Sequence, residues 1–177
     1  DVAVLFGDGA GAAVIGRAKD GQSGVLSVAL HADGSAAQDL WLEAPASKHI
    51  PRITKEMIDE GRHYPKMKGK QVFRWATEKM PEAAQEALRA AGKTVADVDV
   101  FVPHQANLRI NEFVAKKLEL PMDKVVTTID RYGNTTAASI PLSLSEAVGD
   151  GRAKPGSLVL FAAFGSGYTW GAGVVRL

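Results

Sequence analysis

Cysteine is absent from all 177 residues of the sequence. This absence excludes disulfide bonds, thiolate metal ligands and thiol nucleophiles contributed by these residues. A run of about 18 apolar residues, the shortest that typically spans a membrane as a helix, is also missing. The first residues lack the basic and long apolar regions of a secretory signal. We therefore expect a cytoplasmic protein.

An excess of charge of either sign is missing as well. The sequence has 21 basic and 20 acidic residues and a net charge of +1. A chain without a strong overall field has no general attraction for nucleic acids or anionic membranes, so we expect neither as a partner. The sequence does contain 46% hydrophobic residues, which is enough for the core of one domain of ordinary size.

The apolar pattern predicts strands that alternate with helices. Several strand segments are nearly continuous apolar runs, which is typical of strands buried on both faces of a parallel sheet. This order predicts an α/β fold whose sheet is largely parallel and ends in an antiparallel pair. Residues 39–68 are expected to be irregular, with one short helix near residues 53–60. The predicted helices cover residues 70–91, with a kink or joint at Pro81, 108–118 and 136–148, and the predicted strands are "GVLSVALHADG", "VDVFVP", "VVTTI", "SLVLFAAF" and "YTWGAGVVRL".

The first residues predict a separate hairpin. Residues 2–6 and 12–15 are short β-favouring runs on either side of "GDGAG", which favours two strands joined by a tight turn. A phosphate loop is the alternative, but the Gly-Lys-Ser/Thr ending and the following helix are missing. A similar order of strand, glycine-rich turn and strand returns at the end of the chain. This echo indicates a fold built from two similar halves.

Three polar signals follow predicted strands. His104 comes directly after "VDVFVP", at the carboxyl end where open α/β sheets bind ligands, although a structural histidine also fits there. Asn134 follows "VVTTI" in the same way, with a helix N-cap as its alternative. The small residues of "FGSGYTWG" allow backbone N–H groups to approach a substrate oxygen. The set suits an oxyanion or enolate, and it lacks a nucleophile.

A further motif, "HADG", contains His31 and Asp33 at a spacing that occurs in metal sites. No second cluster of ligands accompanies the pair, so a turn with an Asx-type hydrogen bond is the better interpretation. We expect no metal site.

Five segments of the sequence resemble, in order, the C-terminal half of the β-ketoacyl-acyl-carrier-protein synthase III family, which belongs to the thiolase superfamily. The resemblance implies a thiolase-like fold, with one βαβαβαββ half at residues 21–177 and the last strands of the other half at residues 1–20. The half at residues 21–177 is then expected to have a mixed five-stranded sheet flanked by helices. The family's catalytic cysteine belongs to the other half, so we expect this chain alone to be inactive. The segments are "VLFGDGAGAAV", "VFRWATEKMPEAAQEAL", "VPHQANLRI", "DRYGNTTAASIPLSL" and "FAAFGSGYTWGAGVVRL".

The resemblance also implies roles for single residues. His104 and Asn134 would hydrogen-bond the malonyl thioester carbonyl, and the backbone N–H of Ser166, at a position where the family often has glycine, would contribute to an oxyanion hole. Lys70 replaces an asparagine that is often found beside the pantetheine channel. The channel positions are Gly69, Phe73, Ala106, Asn107 and Ile110. A basic patch for the acyl carrier protein would consist of Arg74, Arg109, Lys116 and Lys117, with a solvated helix face as the alternative.

The activity that the resemblance implies is a decarboxylating Claisen condensation. The enzyme would be an acyltransferase that joins acyl-CoA to malonyl-acyl-carrier-protein and starts fatty acid synthesis. Coenzyme A enters as a thioester substrate, no cofactor is implied, and the intact enzyme is expected to be a homodimer. Two alternatives stay open: a related acyl-CoA condensing enzyme of the polyketide, alkylquinolone or head-to-head type, and a non-catalytic subunit that pairs with a cysteine-bearing half.

Overall fold

The computed structural model describes residues 3–18 and 23–177 of the chain. Within these ranges, helices alternate with strands over most of the chain, as the apolar pattern predicts. Short 3-10 helices cover Ala3–Leu5, Gly34–Asp39, Val95–Asp97, Met122–Lys124 and Thr136–Ala138. The remaining elements are β1 (Gly24–Ala32), β2 (Leu40–Trp41), α1 (Lys55–Asp59), β3 (Lys66–Met67), α2 (Gly69–Ala90), β4 (Val100–Pro103), α3 (Leu108–Leu118), α4 (Ile129–Tyr132), α5 (Ser139–Gly149), β5 (Leu158–Gly165) and β6 (Thr169–Arg176).

A mixed four-stranded sheet in the order β1-β6-β5-β4 forms the centre of the fold. β1 and β5 both run antiparallel to β6, and β4 runs parallel to β5. β2 and β3 form a separate two-stranded sheet within the stretch expected to be irregular, and α1 confirms the short helix expected there. Among the described residues, no helix combines the length and apolar composition needed to span a membrane.

One face of the central sheet is covered by α2 and α3. Buried residues recur along α2 at helical spacing, among them Met80, Ala84 and Leu88, and they share a core cluster with alternate residues of β5 and β6, such as Leu160 and Val174. α2 continues through Pro81 as a single 22-residue helix, so the predicted joint between two segments is wrong. The opposite face carries α5 over β4 and β5.

The prediction of a fifth strand in the sheet is wrong, because "VVTTI" contributes only one parallel bridge, between Val125 and Phe101. The side-chain amide of Gln105 explains why pairing stops. Its Nε2 donates to the carbonyl of Val126 over 3.0 Å, and its Oε1 accepts from the backbone N–H of Thr128 over 3.0 Å. These groups would otherwise be free to extend the ladder, so the chain leaves the sheet at this point.

The hairpin predicted for the first residues is also wrong within the described range. Ala3–Leu5 is a 3-10 helix, Phe6 forms an isolated bridge with Asn134, and residues 7–18 contain no strand. The side chains of Val14 and Ile15 are 102% and 88% exposed, so they do not pack against the described part of the chain. Residues 1–2 and 19–22 lie outside the described ranges, and the boundary near residue 20 stays a prediction.

Candidate active site

His104 lies at the carboxyl end of β4 and is fixed from two sides. Its backbone N–H donates to the carbonyl of Ala162 on β5 over 2.9 Å, and its Nδ1 lies 2.7 Å from the hydroxyl of Ser139 at the start of α5. Nε2 has no hydrogen-bond partner in the described part of the chain. Burial lowers the pKa of His104 below its ordinary 6.5, so the imidazole is neutral at pH 7.

Gln105 organises the backbone around this histidine. It is completely buried, and its amide bonds to three backbone groups: the carbonyls of Pro103 and Val126 and the N–H of Thr128. Its own N–H points at the hydroxyl of Ser139, 3.2 Å away. Sequence reasoning gave Gln105 no role, although a glutamine directly after a buried strand is a signal that a polar group must be satisfied inside the protein.

Asn134 lies in the loop that leads into α5. Its backbone pairs with the first residues of the chain, donating to the carbonyl of Leu5 over 2.8 Å and accepting from Gly7 over 3.0 Å. A Cβ atom on Gly7 would collide with the carbonyl oxygen of Tyr132, so this close approach requires glycine. The Oδ1 of Asn134 accepts from the N–H of Thr136 over 2.9 Å, which orients the amide and leaves Oδ1 engaged in the local turn.

The glycine-rich turn between β5 and β6 holds Ser166 at the surface. The carbonyl of Ser166 accepts from Thr169 Oγ1 over 3.0 Å, and Gly167 has a φ of 135°, which favours glycine. Tyr168 anchors the turn, because its ring is completely buried against Trp75 and Phe164. The backbone of Tyr168 also exchanges two hydrogen bonds with Asp33 at the end of β1.

The "HADG" motif forms the Asx-type turn that the sequence predicts. Asp33 Oδ1 accepts from the N–H of Ser35 over 2.8 Å and begins the 3-10 helix there. His31 instead pairs with Glu86 on α2, with 2.8 Å between its Nε2 and the carboxylate. Across residues 3–18 and 23–177, no three His, Asp or Glu side chains are grouped so that they could hold a metal ion.

The residues expected along a pantetheine channel lie on two neighbouring elements. Gly69 begins α2, and Phe73, one turn later, packs edge-on against Phe113 of α3 with 6.3 Å between ring centres. Ala106 precedes Asn107, whose Oδ1 caps α3 by accepting from the N–H of Arg109 over 2.9 Å. Ile110 is only 6% exposed and packs in the core, so it offers little surface to a ligand.

The four residues of the expected basic patch are all exposed. Arg74 lies on α2, and Arg109, Lys116 and Lys117 lie on α3, which contacts α2. None of the four forms a salt bridge with a described residue, so their charges are not neutralised locally. Phe113, 42% exposed, lies beside this patch with Lys117 Nζ 5.8 Å from its ring centre, and sequence reasoning missed it.

Comparisons with known proteins identify the family of the chain. The family model described as 3-oxoacyl-[acyl-carrier-protein] synthase III C terminal matches residues 88–177, and the model for 3-oxoacyl-[acyl-carrier-protein] synthase III matches residues 1–34. The β-ketoacyl-[acyl-carrier-protein] synthase III proteins of Roseiflexus castenholzii and Granulibacter bethesdensis are each 46% identical over 98% of this chain and 52% of their own length. The chain therefore spans about half the length of the curated relatives it matches.

Solved structures show the same relationship. The crystal structure of β-ketoacyl-[acyl carrier protein] synthase III from Thermus thermophilus aligns with a TM-score of 0.88 at 43% identity, over 99% of this chain and 52% of that one. The synthase III of Aquifex aeolicus aligns with a TM-score of 0.78 at 38% identity, over 91% and 46% of the two chains. The sheet and its flanking helices are thus those of a thiolase-like half.

Proposed function

The chain belongs to the 3-oxoacyl-[acyl-carrier-protein] synthase III family, and from this premise we propose that it supplies the C-terminal half of a condensing active site. The reaction would be a decarboxylating Claisen condensation. A cysteine in the other half would take an acyl group from acyl-CoA, malonyl-acyl-carrier-protein would lose CO2, and the resulting enolate would attack the acyl thioester. The product would be the first β-ketoacyl chain of fatty acid synthesis.

The observation that carries this proposal is the state of His104. The imidazole is neutral, is held through Nδ1 at the carboxyl end of β4, and keeps Nε2 free of other partners in the described residues. A neutral imidazole that donates a hydrogen bond stabilises an enolate more than the thioester carbonyl from which it forms, because negative charge grows on that oxygen. Asn134 would add a second donor through its amide nitrogen, since its Oδ1 is already engaged.

The other proposed contacts extend from this centre. The backbone N–H of Ser166 would bind the oxyanion of the acyl-transfer step beside the cysteine's own N–H. Pantetheine would run past Gly69, Phe73, Ala106 and Asn107, where Ile110 contributes mainly support from the core. Arg74, Arg109, Lys116 and Lys117 would bind the acidic acyl carrier protein, because their positive charges have no salt-bridge partners in the described residues. Coenzyme A would act as a thioester substrate, with no cofactor.

The half that carries the cysteine is the main proposed partner. Residues 4–15 include strongly exposed apolar side chains, and β1 exposes Val28 and Leu30 at 56% and 77%. Exposed apolar residues in such numbers are typical of a surface that another unit covers. We place the other half there, in a cytoplasmic homodimer. Related polyketide, alkylquinolone or head-to-head enzymes and a non-catalytic subunit are less favoured, because the curated relatives at 46% identity have synthase III names.

Substitution of His104 in the full-length polypeptide tests the proposal. His104→Ala should lower malonyl decarboxylation and condensation on the order of a hundredfold or more, as for loss of an oxyanion-hole donor. Transfer of the acyl group from acyl-CoA to the cysteine should continue, because that step does not need the enolate donor. Radiolabelled acyl-CoA and malonyl-acyl-carrier-protein report the two steps separately.

The matched control is His31→Ala, which removes a half-buried histidine paired with Glu86. This variant should keep both steps close to the wild-type rates. The proposal is wrong if His104→Ala retains decarboxylation, or if it loses acylation and decarboxylation together while remaining folded. The 177-residue chain without the other half should show neither step.

A further inference from the structure

Ser139 connects the candidate catalytic histidine to the buried backbone. It is the first residue of α5 and is only 1% exposed. Its hydroxyl lies 2.7 Å from Nδ1 of His104 and 3.2 Å from the backbone nitrogen of Gln105. Ser139 was not among the site residues predicted from the sequence.

The proton positions at this junction follow from counting donors and acceptors. A serine hydroxyl has one proton to donate and two lone pairs that accept. The backbone N–H of Gln105 can only donate, so it occupies one lone pair of Ser139. The single hydroxyl proton then needs an acceptor, and a buried group without a partner is costly.

Only one tautomer of His104 satisfies every group. If Nδ1 of His104 is unprotonated, it accepts the hydroxyl proton of Ser139, and all three groups are paired. If Nδ1 carries the proton, it donates to Ser139, and the hydroxyl proton has no other partner among the described residues. A neutral imidazole without a proton on Nδ1 carries it on Nε2.

We propose that Ser139 is a positioning residue that keeps His104 in the neutral tautomer protonated at Nε2. The hydroxyl is itself fixed by two elements, since Ser139 begins α5 while the N–H of Gln105 belongs to a residue whose amide makes three backbone hydrogen bonds. The Nε2–H group of His104 then remains free to donate a hydrogen bond to another group. The catalytic role of the Nε2–H group rests on the proposed function. The assignment of the tautomer does not depend on that function.

The tautomer is measured directly by two-bond 15N–1H correlation spectra of protein labelled with 15N-histidine. The chain has four histidines, and comparison with His104→Gln identifies the signals of His104. At about pH 7.5, above the ordinary pKa of histidine, we expect the pattern of a neutral ring protonated at Nε2. A His104 ring protonated at Nδ1 in the wild-type protein would overturn the proposal.

Ser139→Ala tests whether the hydroxyl selects the tautomer. The variant removes the donor to Nδ1, so signals of the Nδ1-protonated form should appear. Ser143→Ala is the matched control, because Ser143 is also buried on α5 but its hydroxyl bonds to Thr128 Oγ1, 2.9 Å away, and does not contact the imidazole. The control should keep the wild-type pattern. A pure Nε2-protonated pattern in Ser139→Ala, or an equal change in Ser143→Ala, would contradict the proposal.

Kinetics of the full-length enzyme separate this inference from the proposed function. Ser139→Ala should lower kcat for decarboxylation on the order of tenfold or more, as expected when the group that orients a catalytic histidine is lost, with little change in KM. An unchanged kcat would remove the catalytic part of the inference. If His104→Ala is as active as wild type, the proposed function fails, while the tautomer spectra still decide the role of Ser139.

Discussion

The two faces of the central sheet differ in how completely this chain covers them. On the face toward α2 and α3, residues such as Phe101, Leu160 and Val174 are completely buried. On the opposite face, α5 covers Val100 and Val159, but the β1 end remains open. There Leu30 is 77% exposed although it belongs to the same sheet.

The difference teaches that an apolar strand pattern does not by itself tell which face of the strand this chain buries. β1 carries apolar residues on both faces, which is typical of a strand buried on both sides. Within the described residues, only the side facing α2 is buried, as Ala29 shows at 5% exposure beside Val28 at 56%. The curated relatives are about twice as long as this chain, and under the proposed function the other half would cover this face.

The largest expected effect on stability comes from a comparison of two alanine substitutions, one on each face of the sheet. Phe101→Ala should lower the free energy of unfolding of the 177-residue chain by about 3–5 kcal/mol, because it leaves a cavity in the covered core. Leu30→Ala, on the open face, should change it by no more than about 0.5 kcal/mol. Urea denaturation of both variants measures the contrast.

The same two substitutions, made in the full-length polypeptide, test whether the open face is covered there. If the other half covers β1, Leu30→Ala should there cost about 2 kcal/mol or more. Equal and small effects of Leu30→Ala in both contexts would show that nothing covers this face. Equal effects of Phe101→Ala and Leu30→Ala in the short chain would contradict the described difference between the faces.

A smaller loss is expected when the buried amide of Gln105 is removed. Gln105→Met keeps the side-chain length but leaves three buried backbone groups without the amide, so the free energy of unfolding should fall by about 2–3 kcal/mol. Gln85→Met changes an exposed glutamine on α2 and is expected to stay within about 0.5 kcal/mol of wild type. The interpretation fails if the two variants are equally stable in urea.

The smallest expected effect is the pH dependence that His104 contributes. Its folded pKa is lowered by burial from an unfolded value of 6.5, so well above pH 6.5 the ring is neutral in both states. As the pH falls below 6.5, the unfolded chain binds the proton first, and stability falls by at most about 1.4 kcal/mol per pH unit until the folded pKa is reached.

The His104→Gln variant isolates this contribution. The difference in unfolding free energy, wild type minus variant, should decrease as the pH is lowered from about 7 to 5. A difference that stays constant, or that increases toward low pH, would show that the folded protein does not resist protonation of His104. Circular dichroism during urea titration at each pH provides the measurement.

Much of the candidate site was predictable because its residues follow strong local signals. His104 ends an apolar strand, and Asn107 precedes a helix that it caps. Ser139 was missed, because a hydrogen bond between residues 35 positions apart leaves no local pattern. Gln105 was missed although it directly follows a buried strand, because two of the three backbone groups that its amide binds lie more than 20 residues away. The fifth strand was overpredicted for a related reason, since the amide of Gln105 replaces its ladder partners.

The sequence by itself determined the three long helices, the four strands of the central sheet, the family and the position of the histidine. Periodicity and turn chemistry act over a few residues, so they can be read without knowing what lies nearby. Only the tertiary structure decided which strands pair, which face of β1 stays open, and that Ser139 reaches His104. These outcomes depend on contacts between distant segments, and a hydroxyl selects a tautomer only when folding removes water and brings the two groups within 2.7 Å.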